Sequence, residues 1–302
     1  MNTSPTDFRE WQRFHYEIEK DYARKILLSP KNSKEREQLI NEAYNRIRDI
    51  IEQYDPGGGE TPYPVDFEVS IVRNLVKKGG HIFELGCGSG KLIAALIQDG
   101  YMVKGIDVAN DCIKSAKERL RLRSSENCVE QADIINYEDK ETYDCIVMDN
   151  VIEHIVPDSI NDVLQKCFRM LNKQGRVIII TPHKYSGPHD ISQHFLPLGA
   201  KAEGSHFREF SFTDLEEVLR EAGFKLILGF PFHPRLLQKF SIVPRPSLWA
   251  AQKTKGLEKI IGKSFLSKIL TINKRLTRAM VAILFPAVCV GVKNDKLKSS
   301  HY

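Results

Sequence analysis

From about Val65 onward, short apolar runs alternate with amphipathic stretches of helical spacing, and this rhythm constrains the fold more than any other feature. HIFELG (81–86) reads as a strand ending in glycine, and LIAALIQDG (92–100) as a helix closed by Gly100. MVKGIDV (102–108) is a second strand, followed by a helix in ANDCIKSAKERLRLR with Asn110 or Asp111 at its start. CVEQADI, TYDCIVMDNVIEHI, GRVIIITP and KLILGF supply further strands, and ILFPAVCVGVKN can return as the last. Helices are expected from Pro157-Asp158 and within FSFTDLEEVLREAGF. Strands joined through helices cannot pair as tight hairpins, so the expectation is an α/β fold with seven strands, mostly parallel, and flanking helices.

The first strand runs into ELGCGSGKL (Glu84–Leu92), with glycines on alternate positions and a lysine behind them. A phosphate-binding P-loop needs G-x-x-x-x-G-K-[ST]. Position 85 is Leu where that motif requires glycine, and Leu92 stands where it requires a hydroxyl, so the P-loop fails twice. The dinucleotide pattern G-x-G-x-x-G requires glycine where Lys91 stands, although Asp107 could serve as its ribose acid. That reading is weakened and stays open.

A third reading fits throughout. E-x-G-x-G-x-G after a first strand resembles the cofactor motif of class I S-adenosylmethionine-dependent methyltransferases, with Glu84, Gly86, Gly88 and Gly90 in its positions and Cys87 between them. Asp107, next to Val108, matches the second-strand acid that accepts the ribose hydroxyls. Asp133-Ile134 matches the pair that meets the adenine, and DNVIEHI (149–155), with Asn150, resembles the fourth-strand signature. The resemblance covers about Gly79 to Pro182 and implies a Rossmann-like core, S-adenosylmethionine as methyl donor and S-adenosylhomocysteine as product. The chemistry suits these residues: the zwitterionic methionyl end needs close backbone approach, which glycine permits, and no phosphate has to be neutralised.

A methyltransferase must align its acceptor, exclude water and often remove a proton. Five of the nine histidines fall between the fourth strand and the next helix: His154, His183, His189, His194 and His206. His154 is one candidate base, and His189 beside Asp190 resembles a base with its orienting carboxylate. Some relatives bind magnesium through E-x-x-E-H on the same loop. Here Asn150 replaces the first carboxylate, which weakens the attraction for a hard cation, so no metal is expected. GSHFREFSF and the charged helical stretch near the N-terminus resemble bacterial small-molecule methyltransferases, including natural-product and glycan-pathway ones. The acceptor this implies is the O or N atom of a small metabolite; the alternatives are an RNA or tRNA methyltransferase and an NAD-type oxidoreductase.

The flanks differ from this core. Residues 1–64 are expected to form an N-terminal helical lid, with apolar positions Phe14, Ile18, Tyr22 and Ile26, then Leu39, Ile40, Ala43, Tyr44, Ile47 and Ile51. The core is expected over 65–230, a basic helical cap insert over 231–280, and the last strand and tail over 281–302. The net charge of +5 conceals a segment, Pro231–Met280, with eleven Lys/Arg and one acid, Glu258. Leu257, Ile260, Ile261, Phe265, Ile269 and Leu270 suggest that its helices bury an apolar face. Such a module suits an anionic acceptor or a peripheral membrane surface better than RNA, since stacking aromatics are few. Six scattered cysteines, a polar N-terminus and no apolar run of about 20 residues lead to the expectation of a cytoplasmic protein.

Overall fold

The computed structural model describes residues 7–55, 65–231, 245–261, 281, 285 and 288–293. Its elements are α1 (Phe8–Leu28), α2 (Lys34–Tyr54), α3 (Asp66–Leu75), β1 (His81–Leu85), α4 (Lys91–Gln98), β2 (Met102–Asp107), α5 (Asn110–Arg121) and β3 (Val129–Gln131). They continue through β4 (Tyr143–Asp149), α6 (Ile160–Met170), β5 (Leu171–Ile180), α7 (Phe212–Glu221), β6 (Leu226–Gly229), α8 (Leu248–Ile261) and β7 (Val288–Val292). The seven strands form one sheet in the order β3-β2-β1-β4-β5-β7-β6. β1 to β5 pair parallel, and β7 enters antiparallel between β5 and β6. This is the expected mostly parallel Rossmann-like sheet.

The continuous apolar runs of the central strands follow from burial on both faces. Ile82, Cys145, Val147 and Ile178 pack on one side with residues of α3, α4 and α5. Their neighbours Phe83, Ile146, Met148 and Ile179 point the other way, into a cluster with α6 and α7. The helix α3 was not anticipated: DFEVSIVRNL is rich in β-branched and apolar residues, and its spacing does not separate strand from helix.

α1 and α2 form a hairpin against the carboxyl edge of the sheet. Asp7 caps α1 by accepting from Arg9 and Glu10 N–H groups, and Ser33 caps α2. The hairpin is held by Arg36, which donates to both Asp158 oxygens at 2.7 and 2.8 Å. Glu19 Oε2 accepts from Ser205 N at 2.9 Å, and Tyr16 stacks on Phe195 at 4.7 Å. Among the described residues, no helix is long and apolar enough to cross a membrane.

The described part of the basic insert departs from expectation. In α8 the buried residues are Ala250, Ala251, Thr254 and Glu258, while Ile260 is 73% exposed and Leu257 only partly buried. Small residues face inward because α8 lies directly on β6: Ser247 and Gly229 exchange backbone hydrogen bonds, and a Cβ on Gly229 would sit 3.1 Å from the Ala251 backbone. Glu258 faces inward because it completes the N-terminus of α7. It accepts from Phe212 N at 2.7 Å, Thr213 N at 3.0 Å and the Thr213 hydroxyl, and pairs with His183 Nε2 at 2.9 Å. The Ile261 side chain, Phe265, Ile269 and Leu270 lie outside the described residues. Glu258→Ala should leave several buried donors unpaired and cost about 3 kcal/mol, read as a lower urea midpoint, with Glu258→Gln intermediate.

Candidate functional site

The chain runs from β1 outward to β3, then returns to place β4 on the other side of β1. In an open α/β sheet this reversal leaves a crevice at the carboxyl edge. The glycine turn lies at its base. Gly86 and Cys87 donate their N–H groups to Ile106 O at 2.8 and 2.9 Å, which folds the turn over the end of β2. Gly86 has φ 72°, and a Cβ there would lie 2.5 Å from Val151 Cγ2. Gly90, also at φ 72°, allows α4 and α5 to approach, since its Cβ would sit 3.0 Å from that of Ala116.

A cavity of about 180 Å³ opens beside this turn. Of the residues singled out in the sequence, Gly86, Asp107, Val108, Asp133, Ile134, Asn150 and His154 line it. Glu84, Cys87, Gly88 and Gly90 do not line it and stand behind or beside the wall. Asp107 organises the turn: Oδ2 accepts from Gly88 N at 2.9 Å and Oδ1 from Ala109 N at 2.8 Å. Asp133 Oδ1 accepts from Ile135 N at 2.9 Å. Asn150 holds a left-handed φ of 54° at the end of β4. Burial pushes the carboxyl groups of Asp107 and Asp133 upward, and that of Glu84 well above the usual range, the last also by the negative charge of Asp149. Glu84 Oε2 is buried with no hydrogen-bond partner, an acceptor waiting for a donor.

Ile40 and Tyr44 of α2 complete the wall. Both lie on the apolar face read from the sequence, where the spacing signals packing and cannot show which residues meet a ligand. A second cavity of about 40 Å³ shares Ile40, Tyr44 and His154 with the first and continues between α1 and α2.

His154 therefore stands between the two cavities. Its Nδ1 lies 3.0 Å from Ser205 O, and a carbonyl can only accept, so Nδ1 carries the proton and Nε2 keeps the lone pair. Burial, reinforced by the neighbouring His206, lowers its pKa to about 4. Next to it, Glu153 is 0% exposed, accepts from Thr181 Oγ1 at 2.9 Å, and is pushed up by burial to about 7, with Oε1 unpartnered. Glu153, His154 and His206 each bring one ligand atom within 4.8 Å of the others, an arrangement that could hold a metal ion. Glu153 and His154 are the last two positions of the E-x-x-E-H comparison made on the sequence, and His206, one of the clustered histidines, joins them only through the fold of the loop after β5.

The structure does not bring His189 and Asp190 together as base and orienter. Asp190 is consumed by its own loop: Oδ1 accepts from Ser192 N and hydroxyl, and Oδ2 from Gly204 N at 2.9 Å. His189 Nε2 meets Ser186 Oγ at 3.0 Å, and its Nδ1 lies 3.3 Å from Glu209 Oε1 without hydrogen-bond geometry. Neither residue lines either cavity. Glu209 also takes a hydrogen bond from His206 Nδ1 at 2.9 Å. Burial alone would raise Glu209, but the two histidines outweigh it and hold the carboxyl at about 2. Adjacent residues in an extended loop point apart, which is why the dipeptide misleads.

Residues 67–228 match the family described as "Methyltransferase domain", more than half of the chain. The chain belongs to this family of methyltransferases. The chain is 30% identical over 109 residues to an uncharacterized methyltransferase of Bacillus thuringiensis (strain Al Hakam), covering 36% of this chain and 50% of the relative. A counterpart in Bacillus cereus (strain 03BB102) is 29% identical over the same shares. The chain thus spans half the length of these curated relatives. Its fold is shared with phosphoethanolamine N-methyltransferase 2 of Haemonchus contortus, solved with S-adenosyl-L-methionine, at 17% identity and TM-score 0.53, over 82% of this chain and 60% of that one.

The neutral His154 has a consequence for stability. Its folded pKa, about 4, lies below the ordinary 6.5. Between these values the unfolded chain binds more protons, so this contribution is complete above 6.5 and lost as pH falls toward 4. Urea midpoints should fall over that window by the equivalent of about 2–3 kcal/mol. The fall should be shallower in His154→Gln.

Proposed function

We propose that the methyltransferase transfers the methyl group of S-adenosylmethionine to an oxygen or nitrogen of a small acceptor, releasing S-adenosylhomocysteine. One observation carries this reading: the carboxylates expected for the cofactor and the neutral His154 line a single cavity, and a second cavity opens at the same histidine.

The residues present fit the cofactor. The buried, unpartnered Glu84 Oε2 would supply an acceptor for its ammonium, with Gly86, Cys87 and Gly88 in the turn that follows it, while Gly90 packs α4 on α5. Asp107 and Val108 would hold the ribose, Asp133 and Ile134 the adenine, and Asn150 would shape the floor. When bound, the cofactor supplies a methyl group already activated by its sulfonium. The protein's own work is to shield the cavity beneath α1 and α2 and to take the acceptor's proton on His154 Nε2. His189 and Asp190 have no part in it.

A small acceptor suits these cavities better than RNA, because residues 245–261 of the basic insert line neither. A second reading has its own observation: the Glu153, His154 and His206 set could hold a divalent cation that polarises the acceptor oxygen.

Calorimetry should show binding of S-adenosylhomocysteine and none of NAD; the reverse would refute the proposal. Asp107→Asn should weaken that binding at least tenfold, about 1.4 kcal/mol, by removing charge from hydrogen bonds to the ribose. His154→Gln should lower turnover by about 10²–10⁴ with cofactor affinity nearly unchanged. Turnover insensitive to EDTA supports the proton-transfer reading, and loss restored by a divalent cation supports the metal one.

A further inference from the structure

Three successive backbone N–H groups in the loop after β5 end on buried carboxylates. Gly204 N and His206 N donate to Asp190 Oδ2 at 2.9 and 3.4 Å, and Ser205 N, between them, donates to Glu19 Oε2 at 2.9 Å. Asp190 belongs to the loop itself, whereas Glu19 reaches in from α1. Glycine is required at 204, since a Cβ there would collide with Glu19 Oε2 and lie 2.8 Å from Asp190 Oδ2. The Ser205 carbonyl accepts in turn from His154 Nδ1 at 3.0 Å. Glu19 is itself anchored: Oε1 meets His15 Nε2 at 2.8 Å, and His15 Nδ1 meets the Tyr54 hydroxyl at 2.8 Å, at the end of α2. Burial alone would raise the Glu19 carboxyl, but His15 and the Ser205 N–H outweigh it and hold the carboxyl below its ordinary range. It is therefore an ionised acceptor, and hydrogen bonds to it are stronger than those to a neutral group. Both helices of the hairpin are thus tied through Glu19 and Ser205 to the histidine between the two cavities.

Resting on the methyl-transfer reading above, we propose that Glu19 is a positioning residue for His154, acting through the Ser205 backbone to keep the imidazole proton on Nδ1 and the lone pair on Nε2. Asp190 fixes the residues on either side of Ser205, and Glu19 fixes Ser205 itself. Ser205 is half-buried, so without Glu19 water can take its N–H, and the loop is free to turn the carbonyl away from His154. His154 Nδ1 then lacks its acceptor, and the proton distributes over both ring nitrogens. A neutral ring with its proton on Nε2 cannot take a second one there from an acceptor. Glu19 lies outside residues 67–228, which match the methyltransferase domain, so the base is set by a segment that the shared domain does not include.

The test reads the ring directly, by nuclear magnetic resonance of the full chain with its histidine ring nitrogens isotopically labelled. The His154 signals are assigned by their loss in His154→Gln. In the wild type the Nδ1–H form should dominate. In Glu19→Ala its ratio to the Nε2–H form should fall about tenfold, as expected for one lost hydrogen bond, while calorimetric affinity for S-adenosylhomocysteine stays within about threefold. Glu19→Gln should restore the wild-type ratio, since its amide oxygen can accept from Ser205 N and its amide N–H can donate to His15 Nε2. A wild-type ratio in Glu19→Ala overturns the proposal, and so does an equal fall in Glu19→Gln. A parallel loss of S-adenosylhomocysteine affinity also overturns it, because that marks collapse of the whole crevice. If Glu19→Ala does not fold, Glu19→Asp carries the comparison: it keeps the charge but falls one methylene short of Ser205 N, and an unchanged ratio there overturns the proposal. Failure of the wild-type chain to bind S-adenosylhomocysteine would instead sink the methyl-transfer reading. The two failures are distinguishable, because the ring ratio is read without cofactor.

Discussion

Everything at the site depends on β1 lying between β2 and β4. Parallel strands expose their carboxyl ends on one edge, and the reversal of chain direction at β1 separates the loops that follow β1 and β4 enough to leave a crevice. The glycine turn, Asp107, Asp133 and Asn150 reach it from four different strand ends. Asp107 then fixes the crevice's shape, since its carboxylate ties the turn after β1 to the loop after β2 through two backbone N–H groups. A carboxylate buried this way is held by hydrogen bonds rather than by a cation, and keeps lone pairs free for a neutral donor.

A second set of buried carboxylates organises the regions outside the crevice. Glu19 joins α1 to the loop holding His154 through Ser205. Glu209 gathers His189 and His206. Glu258 brings the described helix of the basic insert onto the start of α7 and His183. Glu19 and Glu258 serve donors from segments far apart in the chain and Glu209 gathers donors within one loop, so removing any of them strands several groups at once. This is why most of the histidines that cluster in the sequence have structural partners, and why His154, with Nδ1 held by a carbonyl, is the one that lines both cavities.

The strand pattern was legible because burial on both faces produces continuous apolar runs, and the spacing of helices between them dictates parallel pairing. Gly86, Asp107, Val108, Asp133, Ile134 and Asn150 come together on one cavity because they sit at strand ends, where fold and sequence order coincide. The pairing of His189 with Asp190 was misread because adjacency in sequence does not make side chains meet in an extended loop. The inward face of α8 was misread for a different reason. Periodicity assigned Leu257 and Ile260 to the core, but Gly229 brings the backbone of β6 so close that only Ala250, Ala251 and Thr254 fit, and Glu258 is drawn in by the helix end it caps.

The sequence by itself therefore determined the sheet, its parallel connections and the residues at its carboxyl edge, since local pattern and chain order suffice for these. Only the tertiary structure decided that Tyr44 and Ile40 of the N-terminal hairpin close the cavity, that His206 joins Glu153 and His154, and that His154 is held neutral. Those outcomes depend on burial and on contacts between segments far apart in the chain, which no local spacing encodes.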